Sequence, residues 1–255
     1  MSESTPIASD DTVTLADYDP FDPAVIANPF PYYELLQRDA PVHEIAKYDL
    51  FVISRYDDVV AAAQNWESFS TTWGPGLQRT ESSIASVLQS DPPQHTRLRS
   101  IIARAFTPRA VQACEPMIET FANECVDRIL DGEEADWIHD YAIPIPVVVI
   151  AEMLGVPRED RPLFRKWSDD VVGSIGGKVD PRDSLIEFKD YFGKVVEDRQ
   201  KNPKDDVISK LLMPNSKGEE LTVPEVIAFC LSLPVAGPET TTGLIAHLSN
   251  TLSSS

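Results

Sequence analysis

The sequence predicts a mostly α protein with a small β element, and three observations carry that prediction. Apolar residues recur at helical spacing along most of the chain. Twenty-one prolines in 255 residues suit many short helices stopped by turns. Only one stretch, PVHEIAKYDLFVISRY, reads as strands.

In chain order, residues 1–20 are acidic and polar with no apolar segment, so they read as a flexible lead-in, neither a signal peptide nor a membrane anchor. A first helix follows Pro31, with Tyr32, Leu35 and Leu36 on one buried face. Two short strands then flank a turn near Lys47 to Asp49, Phe51 to Ser54 being the more β-branched part. DDVVAAAQNWESF resumes helical spacing, and TTWGPGLQRTESS is a Gly and Pro loop containing an aromatic. A helix over Asp91 to Phe106 starts with Asp91 as N-cap, Pro92 at its first position and Gln94 where a capping box wants it. Further helices open at Pro108 and run around Ile143 to Leu154, Arg161 to Val172, Leu185 to Arg199 and Val207 to Leu212, before the polar turn MPNSKGEEL. Thr222 and Glu225 form a Thr-x-x-Glu capping box for a last long helix, with Pro224 in its first turn. With no internal repeat or low-complexity linker, one domain over 21–255 is the economical reading.

Charge and cysteines exclude several functions. A net charge of -19 repels phosphate backbones and anionic lipid heads, so the chain predicts no nucleic acid and no membrane partner. Cys114, Cys125 and Cys230 lack the paired spacing of a disulfide framework or a zinc site. They read as reduced, part-buried thiols of a cytoplasmic protein with no metal site of its own.

Two motifs carry chemistry. In DPPQHTRLRSIIARAF, Leu98, Ile101, Ile102 and Ala105 form one apolar stripe; Arg97 and Arg104 flank it on one side, His95 and Arg99 on the other. His95 and Arg99 stand at i and i+4, so they are either solvated edges of the helix or a clamp for one carboxylate. Between Gln94 and Arg109 there are four arginines and no acid, a basic island on an acidic chain that suits an acidic partner.

The second motif lies in VIAFCLSLPVAGPETTTGLIAHL, a run apolar nearly all round that should pass through the core. Glu239 and the prolines interrupt it too soon for a transmembrane span. Pro238 has no N–H for the carbonyl of Pro234, Gly237 lets a ligand approach the backbone, and the Thr240 hydroxyl can bond back to the carbonyl of Ala236. The segment is either a plain kink with Glu239 paired elsewhere, or a groove with a buried acid and alcohol that deliver protons.

Together, DPPQHTRLRSIIARAFTPRAV and LPVAGPETTTGLI resemble the bacterial cytochromes P-450, the heme-thiolate monooxygenases. PFPYYELLQRDAPVHEI and LFVISRYDDVVAAAQNWESFST precede them in the family's order, so the resemblance covers the chain after the lead-in: the N-terminal part of the cytochrome P-450 fold, ending at the central long helix. It implies a protein that inserts oxygen into an apolar small molecule, with heme b as cofactor and molecular oxygen as co-substrate. His95 and Arg99 would bind a heme propionate, Ala236 and Gly237 would lie against the distal face, and Glu239 and Thr240 would be the acid and alcohol that help protonate dioxygen. The basic island would receive a ferredoxin-like or other small acidic redox partner. The loop from Thr71 to Ser90, with Trp73, Leu77, Ile84 and Leu88, would help line the substrate pocket.

Two departures accompany the resemblance. Pro238, with Pro234 one turn earlier, makes the central segment less regular than the family's pattern. The family's Phe-x-x-Gly cysteine loop and its Glu-x-x-Arg pair do not occur, so the cysteine ligand would lie beyond Ser255 and 21–255 would be a partial domain lacking the C-terminal heme-ligand part. The expectation is a fragment inactive by itself; the alternative is a non-catalytic truncated helical remnant that binds a small ligand or a partner.

Overall fold

Prolines and capping side chains decide where the helices begin. The computed structural model describes residues 13–74, 84–132, 134–175, 179–215 and 218–253. They belong to two compact units, Met1–Phe69 and Ser70–Ser255, a division inside the single domain expected over 21–255.

In the first unit, α1 (Pro23–Ala27) opens at Asp22, whose carboxylate accepts from Ala24 N. Helix α2 (Phe30–Asp39) follows, burying Leu36 as expected. Strands β1 (Val42–Ile45) and β2 (Leu50–Ile53) pair antiparallel, Val42 opposite Ile53 and Ile45 opposite Leu50. The turn between them closes at Asp49 with φ 51°, a left-handed position that Asp tolerates. Helix α3 (Tyr56–Gln64) completes the unit. The lead-in is shorter than the sequence suggested. Residues 1–12 lie outside the described residues, but Tyr18 is buried with Val25, Leu36 and Ile45, and Asp19 accepts from Lys47 at 2.8 Å and Tyr48 at 2.9 Å.

The second unit holds α4 (Gln94–Ile102), α5 (Pro108–Gln112), α6 (Glu115–Asp131), α7 (Pro144–Met153), α8 (Arg161–Ile175), α9 (Arg182–Lys201), α10 (Val207–Leu211), α11 (Val223–Ala236) and α12 (Pro238–Ser253). Three starts differ from the sequence reading. Helix α4 begins at Gln94 without a side-chain cap, because the Asp91 carboxylate is taken by Thr71, from N at 3.1 Å and Oγ1 at 3.0 Å. The helix opening at Pro108 is two helices, since Pro116 stands in the first turn of a new one. The last long helix is also two, meeting at Gly237. Its start is as read: Thr222 and Glu225 form both bonds of the capping box.

The core packs α8, α9 and α11 together. Phe164, Trp167, Phe188 and Phe192 are fully buried there, Phe188 and Phe192 with centroids 4.4 Å apart, and Trp167 Nε1 donates to Glu187 at 2.9 Å. Below it, Gly155 has φ +71°, and an added Cβ would stand 2.8 Å from Asp206 Oδ2 and 3.0 Å from Arg199 Nη2. Only glycine leaves room for that buried ion pair, whose Arg199 Nε to Asp206 Oδ2 distance is 2.5 Å. Among the described residues, no helix is long and apolar enough to cross a membrane.

Candidate functional site

Helix α4 carries the first motif. Leu98, Ile101, Ile102 and Ala105 all enter the core, so the register read from the sequence holds although the cap does not. Arg97 and Arg104 face the later helices: Arg97 pairs with Glu225 and donates to Glu220 O at 3.2 Å, and Arg104 donates to Met213 O and Pro214 O, each at 3.2 Å. On the other flank Arg99 is exposed, and neither its guanidinium nor the half-buried His95 ring has a hydrogen-bonding partner among the described residues. Asp91 lies near His95; the Ser70 hydroxyl and the Thr71 N–H hold its carboxyl below the usual carboxylate range. The expected island is thus divided. Two of its cations are held by the protein's own oxygens, while Arg99 and Arg109 remain exposed.

The second motif sits where α11 gives way to α12. Thr240 Oγ1 donates to Ala236 O at 3.0 Å and to Gly237 O at 3.3 Å, the back-bonding the sequence suggested. Two features differ from the reading. The space beside Gly237 where a Cβ would stand is filled by Ile150 Cδ1 of α7, so this glycine serves close helix packing. Glu239 and Thr240 are exposed, not buried, because α12 packs beside α7 and the Ile138–Ala142 turn and nothing among the described residues covers its other side. Ala236 is exposed as well, whereas Pro238 is buried. Thr242 Oγ1 donates to Ala142 O at 3.2 Å, fastening α12 to that turn. In the loop before α4, Trp73 and Leu88 are exposed and Ile84 is half-buried; Leu77 lies outside the described residues.

All three cysteines are free thiols. Burial pushes the Cys230 thiol well up, with the Asp206 charge adding to it; Cys125 is buried and accepts from Arg128 at 3.1 Å; Cys114 donates to Ala110 O at 3.5 Å. Among the described residues no cluster of three or more His, Cys, Asp or Glu side chains could hold a metal ion.

No family model matches the chain. Known proteins do. Cytochrome P450 109 of Bacillus spizizenii is 39% identical over 228 residues, covering 86% of this chain and 55% of the relative. The solved cytochrome P450 CYP109Q5 from Chondromyces apiculatus has a TM-score of 0.78 at 36% identity, covering 89% of this chain and 59% of that one. CYP109E1 from Bacillus megaterium, solved in complex with testosterone, has a TM-score of 0.68 at 33% identity, covering 84% of this chain and 56% of that one.

In sequence and in fold the chain matches the N-terminal part of bacterial cytochromes P450. It spans 55% of the length of that curated relative and 59% of the first solved one. Cytochromes P450 imply heme b, and the residues present fit one part of it. Arg99 and His95, on one face of α4 and without a hydrogen-bonding partner among the described residues, are suitable donors for a propionate carboxylate. The thiolate is not supplied: Cys230 is enclosed and held protonated by its surroundings, and neither Cys114 nor Cys125 lies in a glycine-rich loop.

The sequence reading missed three residues that touch the candidate site residues or their helices. Glu225 was visible only as a cap, because its partner Arg97 is 128 residues away. Ile150 belongs to the apolar run PIPVVVIA, where a helix was expected but nothing pointed to the glycine facing it. Thr242 gave no signal separate from its neighbouring threonines.

Proposed function

We propose that the protein to which this chain belongs is a heme-thiolate monooxygenase that inserts one atom of molecular oxygen into an apolar small molecule. The single observation that carries this reading is the His95 and Arg99 pair, without a hydrogen-bonding partner among the described residues, on a helix whose apolar stripe is buried, in a chain similar to cytochromes P450 in sequence and fold. The heme, when bound, supplies the oxidant. Arg99 and His95 hold its propionate by charge-assisted hydrogen bonds. Ala236, exposed at the end of α11, lets the backbone come close on the distal side, while Gly237 packs on Ile150. Glu239, exposed at the start of α12, takes protons from solvent, and the Thr240 hydroxyl, anchored on Ala236 O, passes them inward. These residues form one side of the site, and none of Cys114, Cys125 and Cys230 is placed to act as its thiolate.

The steroid bound by CYP109E1 supports a rigid apolar substrate of similar size. Electrons would arrive from a ferredoxin-like or other small acidic protein. Support for that partner rests on Arg109, since Arg97 and Arg104 are engaged internally. The net charge of -19 and the lack of a membrane-crossing helix among the described residues support a cytoplasmic setting.

The test is to join this chain to the C-terminal part of a family member, supply ferredoxin and reductase, and offer steroids under labelled dioxygen. One labelled oxygen atom in the product, with Thr240→Ala diverting electrons to peroxide, is the expected result. A heme-loaded chimera that consumes reductant and gives no labelled product from steroids, terpenes or fatty acids overturns the reading.

A further inference from the structure

Helix α4 uses its cations in two ways, and the inward one joins it to α11. The Arg97 guanidinium pairs with the Glu225 carboxylate, and Gln94 braces both: its Oε1 accepts from Arg97 Nε at 3.4 Å and its Nε2 donates to Glu225 Oε1 at 3.4 Å. Glu225 is buried, and its other oxygen accepts from Thr222 N at 2.8 Å and Thr222 Oγ1 at 3.0 Å. One carboxylate therefore caps α11 and grips α4. One turn further along α11, Phe229 meets Phe106, just past α4, edge to face with centroids 6.0 Å apart.

We propose that the Arg97–Glu225 pair is a positioning device that fixes α4, and with it His95 and Arg99, against the helix leading to the Gly237 break. Apolar contacts alone would hold the two helices but tolerate sliding. A buried carboxylate with both oxygens committed is satisfied at one register only, and a shift of α4 by one residue would leave it without its cation. Arg97 is thus a positioning residue, not part of a docking face for a redox partner. The inference rests on the heme reading only for what His95 and Arg99 bind; the link itself is local.

Four variants of this chain test it: Arg97→Met, Glu225→Gln, their double, and Arg99→Ala, each followed by amide hydrogen exchange and titrated with hemin. Arg97→Met removes the donor fork and keeps the aliphatic stem; Glu225→Gln keeps the capping acceptor and removes the charge. Both single variants should speed exchange in α4 and in the first turn of α11 together, by about tenfold or more. Both should also weaken hemin binding by about tenfold, with the double variant no worse than the weaker single one. Exchange that rises in one helix alone overturns the inference. So does a lowered melting temperature with unchanged hemin affinity where Arg99→Ala does weaken hemin. If hemin affinity ignores Arg99→Ala in the chain joined to the C-terminal part of a family member, the heme reading of α4 fails instead, and the paired rise in exchange still decides the link. Should Arg97→Met not fold, Arg97→Lys, which keeps the charge and loses the fork, is read in the same way.

Discussion

Helices α11 and α12 come from one apolar run, yet they meet opposite fates. In α11, which packs on α8 and α9, Val226, Phe229 and Cys230 are buried. In α12, Leu244, Leu248 and Leu252 are 59, 54 and 77% exposed, at i, i+4 and i+8 on one face. α12 is the more polar of the two, and its leucines also lack the partners that α11 finds among the described residues. α11 finds the aromatic faces of α8 and α9, while α12 finds α7 and the Ile138–Ala142 turn on one side and nothing among the described residues on the other. Hydrophobicity in a sequence reports the wish for burial, and only the rest of the fold reports whether it is met.

The largest effect should come from the satisfied side. Phe188→Ala, which removes a fully buried ring packed on Trp167 and Phe192, should cost about 3–5 kcal/mol in urea unfolding. A loss similar to that of a surface change would mean that the aromatic core is not the stable part of the chain.

Next comes the junction of the two helices. Gly237→Ala forces a methyl onto Ile150 Cδ1 and should cost about 1–3 kcal/mol. Ile150→Val deletes that carbon, so adding it should recover most of the loss, although alone it costs about 0.5–1.5 kcal/mol. Additive losses in the double variant would mean that the glycine is needed for its backbone conformation and not for this contact.

On the unsatisfied side, Leu248→Ser should change stability by no more than about 0.5 kcal/mol. Serine at Leu244, Leu248 and Leu252 together should lower the binding of an apolar dye such as ANS. Dye fluorescence untouched by the triple variant would place the exposed apolar surface elsewhere.

The smallest effect is one of pH. The Trp167 indole N–H, and after it the Lys166 charge, hold the Glu187 carboxyl below its usual range. A carboxyl lowered in the folded state adds stability above its ordinary value near about pH 4.3, and that contribution fades as pH falls through the folded value. Glu187→Gln keeps an acceptor for Trp167, so it should flatten the acid limb of the stability profile while leaving the fluorescence of the buried indole nearly unchanged. An acid limb as steep in the variant as in the parent would assign it to other carboxylates.

What could be read from sequence follows the same division between local and distant causes. The Thr222–Glu225 cap, the hairpin turned at Asp49 and the apolar stripe of α4 depend on residues a few positions apart, and each is found where the spacing placed it. Asp91 fails as a cap because Thr71, twenty residues earlier, takes its carboxylate. The second role of Glu225, the Ile150 contact of Gly237 and the exposure of Glu239 all depend on elements brought from far along the chain. In the candidate site the back-bonding of Thr240 onto Ala236 was legible, and the division of the arginines into internal braces and exposed cations was not.

The central claim is that these residues hold the propionate and distal side of a heme site and do not supply its thiolate. The most direct test is the reduced carbon monoxide difference spectrum of this chain supplied with heme, beside that of the chain joined to the C-terminal part of a family member. The account predicts a thiolate-type Soret band from the joined protein alone. Such a band from the 255-residue chain by itself, abolished by replacing Cys114, Cys125 or Cys230, would contradict it.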